Sequence, residues 1–189
     1  MDVFAITQLN DLPETFINRC MELIPESRQE KIQHLRTENR KRQSLLAYVL
    51  LVYALWRYDG KLQLPELPAK GKPRIQGRED LQCSLSHCPL GAAAVVHHAP
   101  IGVDMEVVRS YNPKLARYVC SVEEVDAIEA SGDPALAFTI LWTKKESYIK
   151  LRGGSIGPEM RQLAGQLSGV QFETKIGDGW VLTTCWDKT

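Results

Sequence analysis

Net charge is the first thing this chain lacks: 23 lysines and arginines balance 23 aspartates and glutamates. Such neutrality argues against generic nucleic-acid binding and leaves only a local basic patch as a route to phosphate. Long hydrophobic runs are missing too; the most apolar stretch, residues 45–55, is too short to span a bilayer and is interrupted by Tyr48 and Tyr53. The opening Met1-Asp2-Val3-Phe4 has no basic region leading into an apolar one, so no secretory leader is expected. Cys20, Cys83, Cys88, Cys120 and Cys185 are odd in number and contain no CxxC, which points to free thiols in a reducing, cytoplasmic setting. Cys83, His87, Cys88 and His97 fit no familiar zinc-ligand spacing. The expectation is a cytoplasmic protein that engages neither membrane nor nucleic acid.

What is present is an ordinary globular composition, 44% hydrophobic and 24% charged over 189 residues, enough for one domain or two small halves. Residues 2–9 read as a short strand, and Asp11 to Pro13 as the cap and first turn of a helix reaching about 23. Helical spacing predicts further helices over 26–35 and 38–58. Residues 59–80, with Gly60, Pro65, Pro68, Gly71, Pro73 and Gly77, form a long connection carrying Lys70-Gly71-Lys72-Pro73. Three strands follow, over 81–85, 92–98 and 102–108. The pattern turns helical after Pro113, with a capping box at Ser121-Val122-Glu123-Glu124 and a helix over 134–151 that opens at Asp133-Pro134 and closes at Gly153-Gly154. Residues 170–176 and 180–186 alternate as a hairpin around Gly177-Asp178-Gly179. No sequence repeat links the two halves.

The stretch with most chemistry is Gly102-Val103-Asp104-Met105-Glu106. On a strand, Asp104 and Glu106 share a face while Val103 and Met105 take the other. Two adjacent carboxylates repel and resist burial, so the pair needs solvent or a cation, and oxygen-only donors suit a hard ion such as Mg2+. Alone, the pattern fits a solvent-facing stripe better, because alternation is the default look of a half-buried strand. On the helix over 134–151, Trp142, Glu146 and Lys150 follow one another at four-residue spacing and share a face. Ser86-His87 places a hydroxyl and an imidazole at a strand end. Arg28, Lys31, Arg36, Arg40, Lys41 and Arg42, interleaved with Glu26, Glu30 and Glu38, fit either a solvated helix face or a phosphate-facing patch.

In chain order, Gly71-Lys72-Pro73, Leu85-Ser86-His87, Gly102 to Glu106 and Trp142-Thr143-Lys144-Lys145-Glu146-Ser147-Tyr148-Ile149-Lys150 resemble the motifs of the 4′-phosphopantetheinyl transferases. The family's two signatures are (I/V)G(I/V)D(I/V)E and (W/F)xxKE(S/A)xxK. The basic N-terminal helices resemble those of its single-chain, surfactin-type branch. This resemblance implies an α/β (α+β) fold of two similar halves, 1–103 and 104–189, each a small antiparallel sheet packed with helices and related by a pseudo-two-fold axis. It implies a monomer with the site in the cleft between the halves.

The implied activity transfers the 4′-phosphopantetheine arm of coenzyme A to a serine of an apo acyl or peptidyl carrier protein, with Mg2+, releasing 3′,5′-ADP. Asp104, Glu106 and Glu146 would hold the metal. Glu146 would deprotonate the serine, directly or through water on the metal, and Lys150 would stabilise charge on the pyrophosphate. Arg28, Lys31 and His87 would meet the 3′-phosphate, with Ser86 beside His87 and Lys72 near the phosphates or adenine. The chain departs from the family pattern at Ser84, where asparagine is usual, at Cys88 after the histidine, at Met105 between the acids, and at Gln43, with Arg42 one place earlier. A non-catalytic coenzyme A or carrier-protein binding protein is the alternative; it would be expected to lose an acid, and all three are present.

Overall fold

Each half of the chain passes through the same order of elements: a strand, three helices and a β-hairpin. In the computed structural model, which describes residues 2–68, 71–154 and 157–188, the first half contains β1 (Val3–Thr7), α1 (Glu14–Leu23), α2 (Glu26–Gln33), α3 (Glu38–Asp59), β2 (Gln82–Cys88) and β3 (Gly91–His97). The second contains β4 (Ile101–Val107), α4 (Pro113–Val119), α5 (Val122–Glu129), α6 (Pro134–Arg152), β5 (Val170–Gly177) and β6 (Trp180–Asp187). Both sheets are three-stranded and antiparallel, with order β1-β3-β2 in one and β4-β6-β5 in the other. This is the two-halved α/β arrangement that the family resemblance implies. Lys70 of the long connection lies outside the described residues.

Local chemistry accounts for the helix ends. Thr37 Oγ1 accepts the Arg40 N–H to start α3, and Asp133 accepts that of Leu136 to start α6, with Pro134 in its first turn. Both long helices stop at a glycine in the left-handed region, Gly60 (φ 74°) and Gly153 (φ 75°). Asn112 caps α4, and the reciprocal capping box at Ser121 and Glu124 forms on α5. The start of α1 differs from expectation: Asp11 is spent in a 3-10 turn, and the residue before the helix is Pro13, which offers no side-chain cap. Within the long connection, Glu66 and Arg74 exchange backbone hydrogen bonds.

The first half is packed around α3, whose Leu45, Leu46, Leu51 and Leu55 are wholly buried. A second cluster lies where the sheets meet and includes Ala93, Val95, Ile101, Val103 and Met105. Helix α6 lies directly on β4, and Gly102 is the reason it can. A Cβ there would fall 1.9 Å from the Ser147 carbonyl oxygen and 2.7 Å from the Leu151 nitrogen. Only glycine admits so close a backbone approach. A chain of hydroxyls, Thr143 to Thr183 at 2.7 Å and Thr183 to Thr174 at 3.0 Å, fastens the same helix to β6 and β5.

Candidate active site

The site forms where β4 meets β2 across the junction of the halves. The Val103 N–H donates to Ser84 Oγ (3.1 Å), both buried, so the serine in the family's asparagine position carries a bond between the two sheets. One residue on, Asp104 points from β4 toward β2, where Ser86 Oγ donates to its Oδ1 at 2.7 Å. Strand alternation puts Glu106 on the same side as Asp104. The four-residue spacing on α6 brings Glu146 and Lys150 over both.

The resulting cluster is tight. One oxygen from each of Asp104, Glu106 and Glu146 lies within 4.8 Å of the others. Asp104 and Glu146 are buried, and Lys150 supplies the countercharge, donating to Asp104 Oδ1 at 2.6 Å and to Ser86 Oγ at 2.9 Å and standing 4.0 Å from Glu146 Oε2. One ammonium cannot neutralise three carboxylates. Burial, and then the charge of Asp104, push Glu106 up to about 7. The same causes raise Glu146, against the pull of Lys150. Asp104 Oδ2 is buried without a hydrogen-bond partner. Oxygen-only donors, excess negative charge and an orphaned oxygen aimed among them fit a hard divalent cation of the Mg2+ kind.

The cluster forms one wall of a cavity of about 730 Å³ that Arg28, Lys31, Lys72, Ser86 and His87 also line. The structure thus brings to one space all the residues that the resemblance assigns to the site, whereas Arg36, Arg40, Lys41 and Arg42 of the basic run do not line it, Arg42 donating instead to the Leu9 and Leu12 carbonyls. Arg28 is held by Ser44, its Nη2 donating to Oγ at 2.7 Å, while its buried Nε has no partner. Lys31 reaches the Leu67 carbonyl of the long connection (3.4 Å). Surrounding protein, with the charges of Lys150 and Arg28, lowers the pKa of His87, and burial lowers that of Lys72. Each of these groups would gain from an anion in the cavity.

The family model of the 4′-phosphopantetheinyl transferase superfamily matches residues 100–178, from β4 through α6 into the last hairpin. The chain is 26% identical over 161 residues to the 4′-phosphopantetheinyl transferase Sfp of Bacillus subtilis (81% of this chain, 70% of that protein). It is 26% identical over 132 residues to 4′-phosphopantetheinyl transferase psf-1 of Bacillus pumilus (67% and 57%), and 30% identical over 148 residues to Enterobactin synthase component D of Escherichia coli K12 (73% and 66%). The chain belongs to the 4′-phosphopantetheinyl transferase superfamily. Its matches span 57% to 70% of the length of these curated relatives.

Sequence reading missed several residues of the site. Ser44 orients Arg28, and Leu67, Gly153 and Gly154 line the cavity. The glycine pair had a signal, because a helix end set about two turns past a metal-type glutamate borders the same site; it was read only as a stop. Ser44 had none, since its role depends on α2 and α3 lying side by side.

Proposed function

We propose that this chain is a 4′-phosphopantetheinyl transferase that moves the phosphopantetheine arm of coenzyme A to a serine of an apo acyl or peptidyl carrier protein. The observation that carries this reading is that one cavity is lined by Arg28, Lys31, Lys72 and His87 from the first half and by three clustered carboxylates from the second. Coenzyme A is the donor with matching chemistry, a 3′-phosphate for Arg28, Lys31 and His87 and a pyrophosphate for the acidic side, reached through a metal. Asp104, Glu106 and Glu146 would hold Mg2+, which when bound supplies charge neutralisation at the pyrophosphate.

The chain's own residues carry the rest of the step. Glu146 accepts the proton of the carrier serine hydroxyl. The serine oxygen bonds to the β-phosphorus, the bond from that phosphorus to the bridging oxygen breaks, and 3′,5′-ADP leaves. Lys150, already at the centre of the cluster, meets the negative charge that collects on the bridging oxygen. Ser86 holds Lys150 and Asp104 together during this change. The segment with Arg109, Lys114 and Arg117 offers positive charge for an acidic carrier, with Arg109 beside Glu106. We assign the protein to the cytoplasm as a monomer, the two halves standing in for two subunits; among the described residues no helix is long and apolar enough to cross a membrane.

The test is intact-protein mass spectrometry of apo carriers incubated with the protein, coenzyme A and Mg2+, with an EDTA control. A mass gain of one phosphopantetheine arm, lost with EDTA, is expected. No gain over a panel of carriers, despite measurable coenzyme A binding, would replace this reading with the non-catalytic binding protein.

A further inference from the structure

Among charged side chains one is out of place. Lys145, which the charged neighbours Lys144 and Glu146 would lead one to expect at the surface, is wholly buried. Its ammonium is fully engaged: it donates to the Val119 carbonyl at the end of α4 (2.9 Å), to the Met160 carbonyl in the 3-10 segment after α6 (2.9 Å), and to Glu124 Oε2 (2.5 Å). Glu124 Oε2 also accepts the Ser121 N–H, so the lysine is tied into the capping box of α5. A buried lysine is costly unless paired and hydrogen-bonded, and this one is both.

Its position on α6 says what it is for. At 3.6 residues per turn, Trp142, Glu146 and Lys150 form one stripe. The stripe through Thr143, Ser147 and Leu151 lies on one flank, held against β4 at Gly102 and against β6 at Thr183. Lys145 lies on the other flank. The helix is therefore fixed on both sides of the stripe that faces the carboxylate cluster. Without the second fixing, rotation about the helix axis is resisted only by the sheet contact. A carboxylate roughly 6 Å from the axis moves about 1 Å for about 10° of rotation. A displacement of that size can cost about 100-fold in rate.

We propose that Lys145 is a positioning residue: it sets the rotation of α6 so that Glu146 completes the acidic cluster, and through Met160 it secures the 3-10 segment that follows the helix. The proposal rests on the metal-dependent reading of the site, and its test separates the two. Lys145→Met alone strands Glu124 in the interior and endangers folding, so the informative variant is Lys145→Met with Glu124→Gln, which removes both charges. Its fold is checked by circular dichroism and thermal melting, and its affinity for Mg2+ alone, without coenzyme A or carrier, by calorimetry. Lys144→Met, one residue away and outside the cluster, is the control.

The expected result is a folded double variant whose Mg2+ affinity falls about 10-fold or more, with kcat reduced about 100-fold and KM for coenzyme A within about 3-fold of the parent, while the control matches the parent. A folded double variant with parental Mg2+ affinity and parental kcat would overturn the assignment. Should the double variant melt below the assay temperature, Glu124→Gln alone, which keeps the lysine and its two carbonyl acceptors, decides. A smaller loss of Mg2+ affinity with coenzyme A binding unchanged supports the role, and parental affinity rejects it. Absence of transfer in the parent protein would remove the transferase reading and leave the metal comparison intact.

Discussion

Helices α3 and α6 stand at the same point in two halves of identical strand order, yet they bury different chemistry. The interior face of α3 is mainly Leu45, Leu46, Leu50, Leu51 and Leu55. Helix α6 buries Tyr148, Ile149 and Leu151, but alongside them Thr139, Thr143, Lys145, Glu146 and Ser147. One helix holds its half together by apolar burial, and the other adds to its apolar contacts a set of directed bonds around a charged cluster. The difference extends to the cavity, where the first half contributes Arg28, Lys31, Lys72 and His87 and the second contributes the carboxylates with Lys150. A repeated topology therefore supports a division of labour, with one copy stable enough to present cations to an anionic donor and the other keeping repulsive acids close together.

That division is best broken from the acidic side. Asp104→Ala or Glu146→Ala should abolish transfer, a loss of about 1,000-fold or more by the carrier mass assay, with the circular dichroism spectrum retained. Retained turnover in either variant would end the metal assignment. Leu51→Ala should be the mirror image, lowering stability by about 2–5 kcal/mol in denaturant unfolding while sparing Mg2+ affinity in the folded protein. Gly102→Ala belongs to both classes, because its methyl group would collide with backbone rather than with a side chain that can turn aside. It should cost at least the usual 1–3 kcal/mol of overpacking and weaken Mg2+ binding too, as β4 and α6 are pushed apart.

On the cationic side, Arg28→Ala should weaken coenzyme A binding about 10- to 100-fold in calorimetry, the scale of a charged hydrogen bond, and leave Mg2+ binding as it was. The smallest effect is that of pH. A carboxylate whose folded pKa lies above its unfolded value binds more protons when folded, so its contribution declines as it ionises. With Glu106 raised from 4.5 to about 7 and Glu146 raised as well, the metal-free protein should melt progressively lower as pH rises through that window. Mg2+ should raise the melting temperature more at pH 7.5 than at pH 5, and a pH-independent Mg2+ effect would contradict the charge balance drawn here.

Much of this comparison was readable in the sequence, and the reason is spacing. Asp104 and Glu106 share a face because strands alternate, and Glu146 and Lys150 share one because helices turn in fewer than four residues. The caps at Thr37, Ser121 and Asp133 carry their own side-chain signal. What was not readable depends on partners distant along the chain. The common strand order leaves no trace in residue identity, since antiparallel hairpins of many compositions can receive a first strand on the same edge. Ser84 acquires its partner from β4, Arg28 its support from α3, and Lys145 its burial from carbonyls at 119 and 160.

The bond from Val103 to Ser84 also bears on the order of folding. Each sheet is assembled from its own half, with a hairpin of adjacent strands at its core, whereas the β2–β4 junction requires both halves to be in place. Local pairings close quickly and docking of preformed units comes later. During refolding from denaturant, the helical signal should therefore return before the ability to bind Mg2+, and Ser84→Ala should lengthen that lag more than it lowers the final helix content. A nascent chain would then be folded before it is competent, its acids kept apart until the last docking step draws them together.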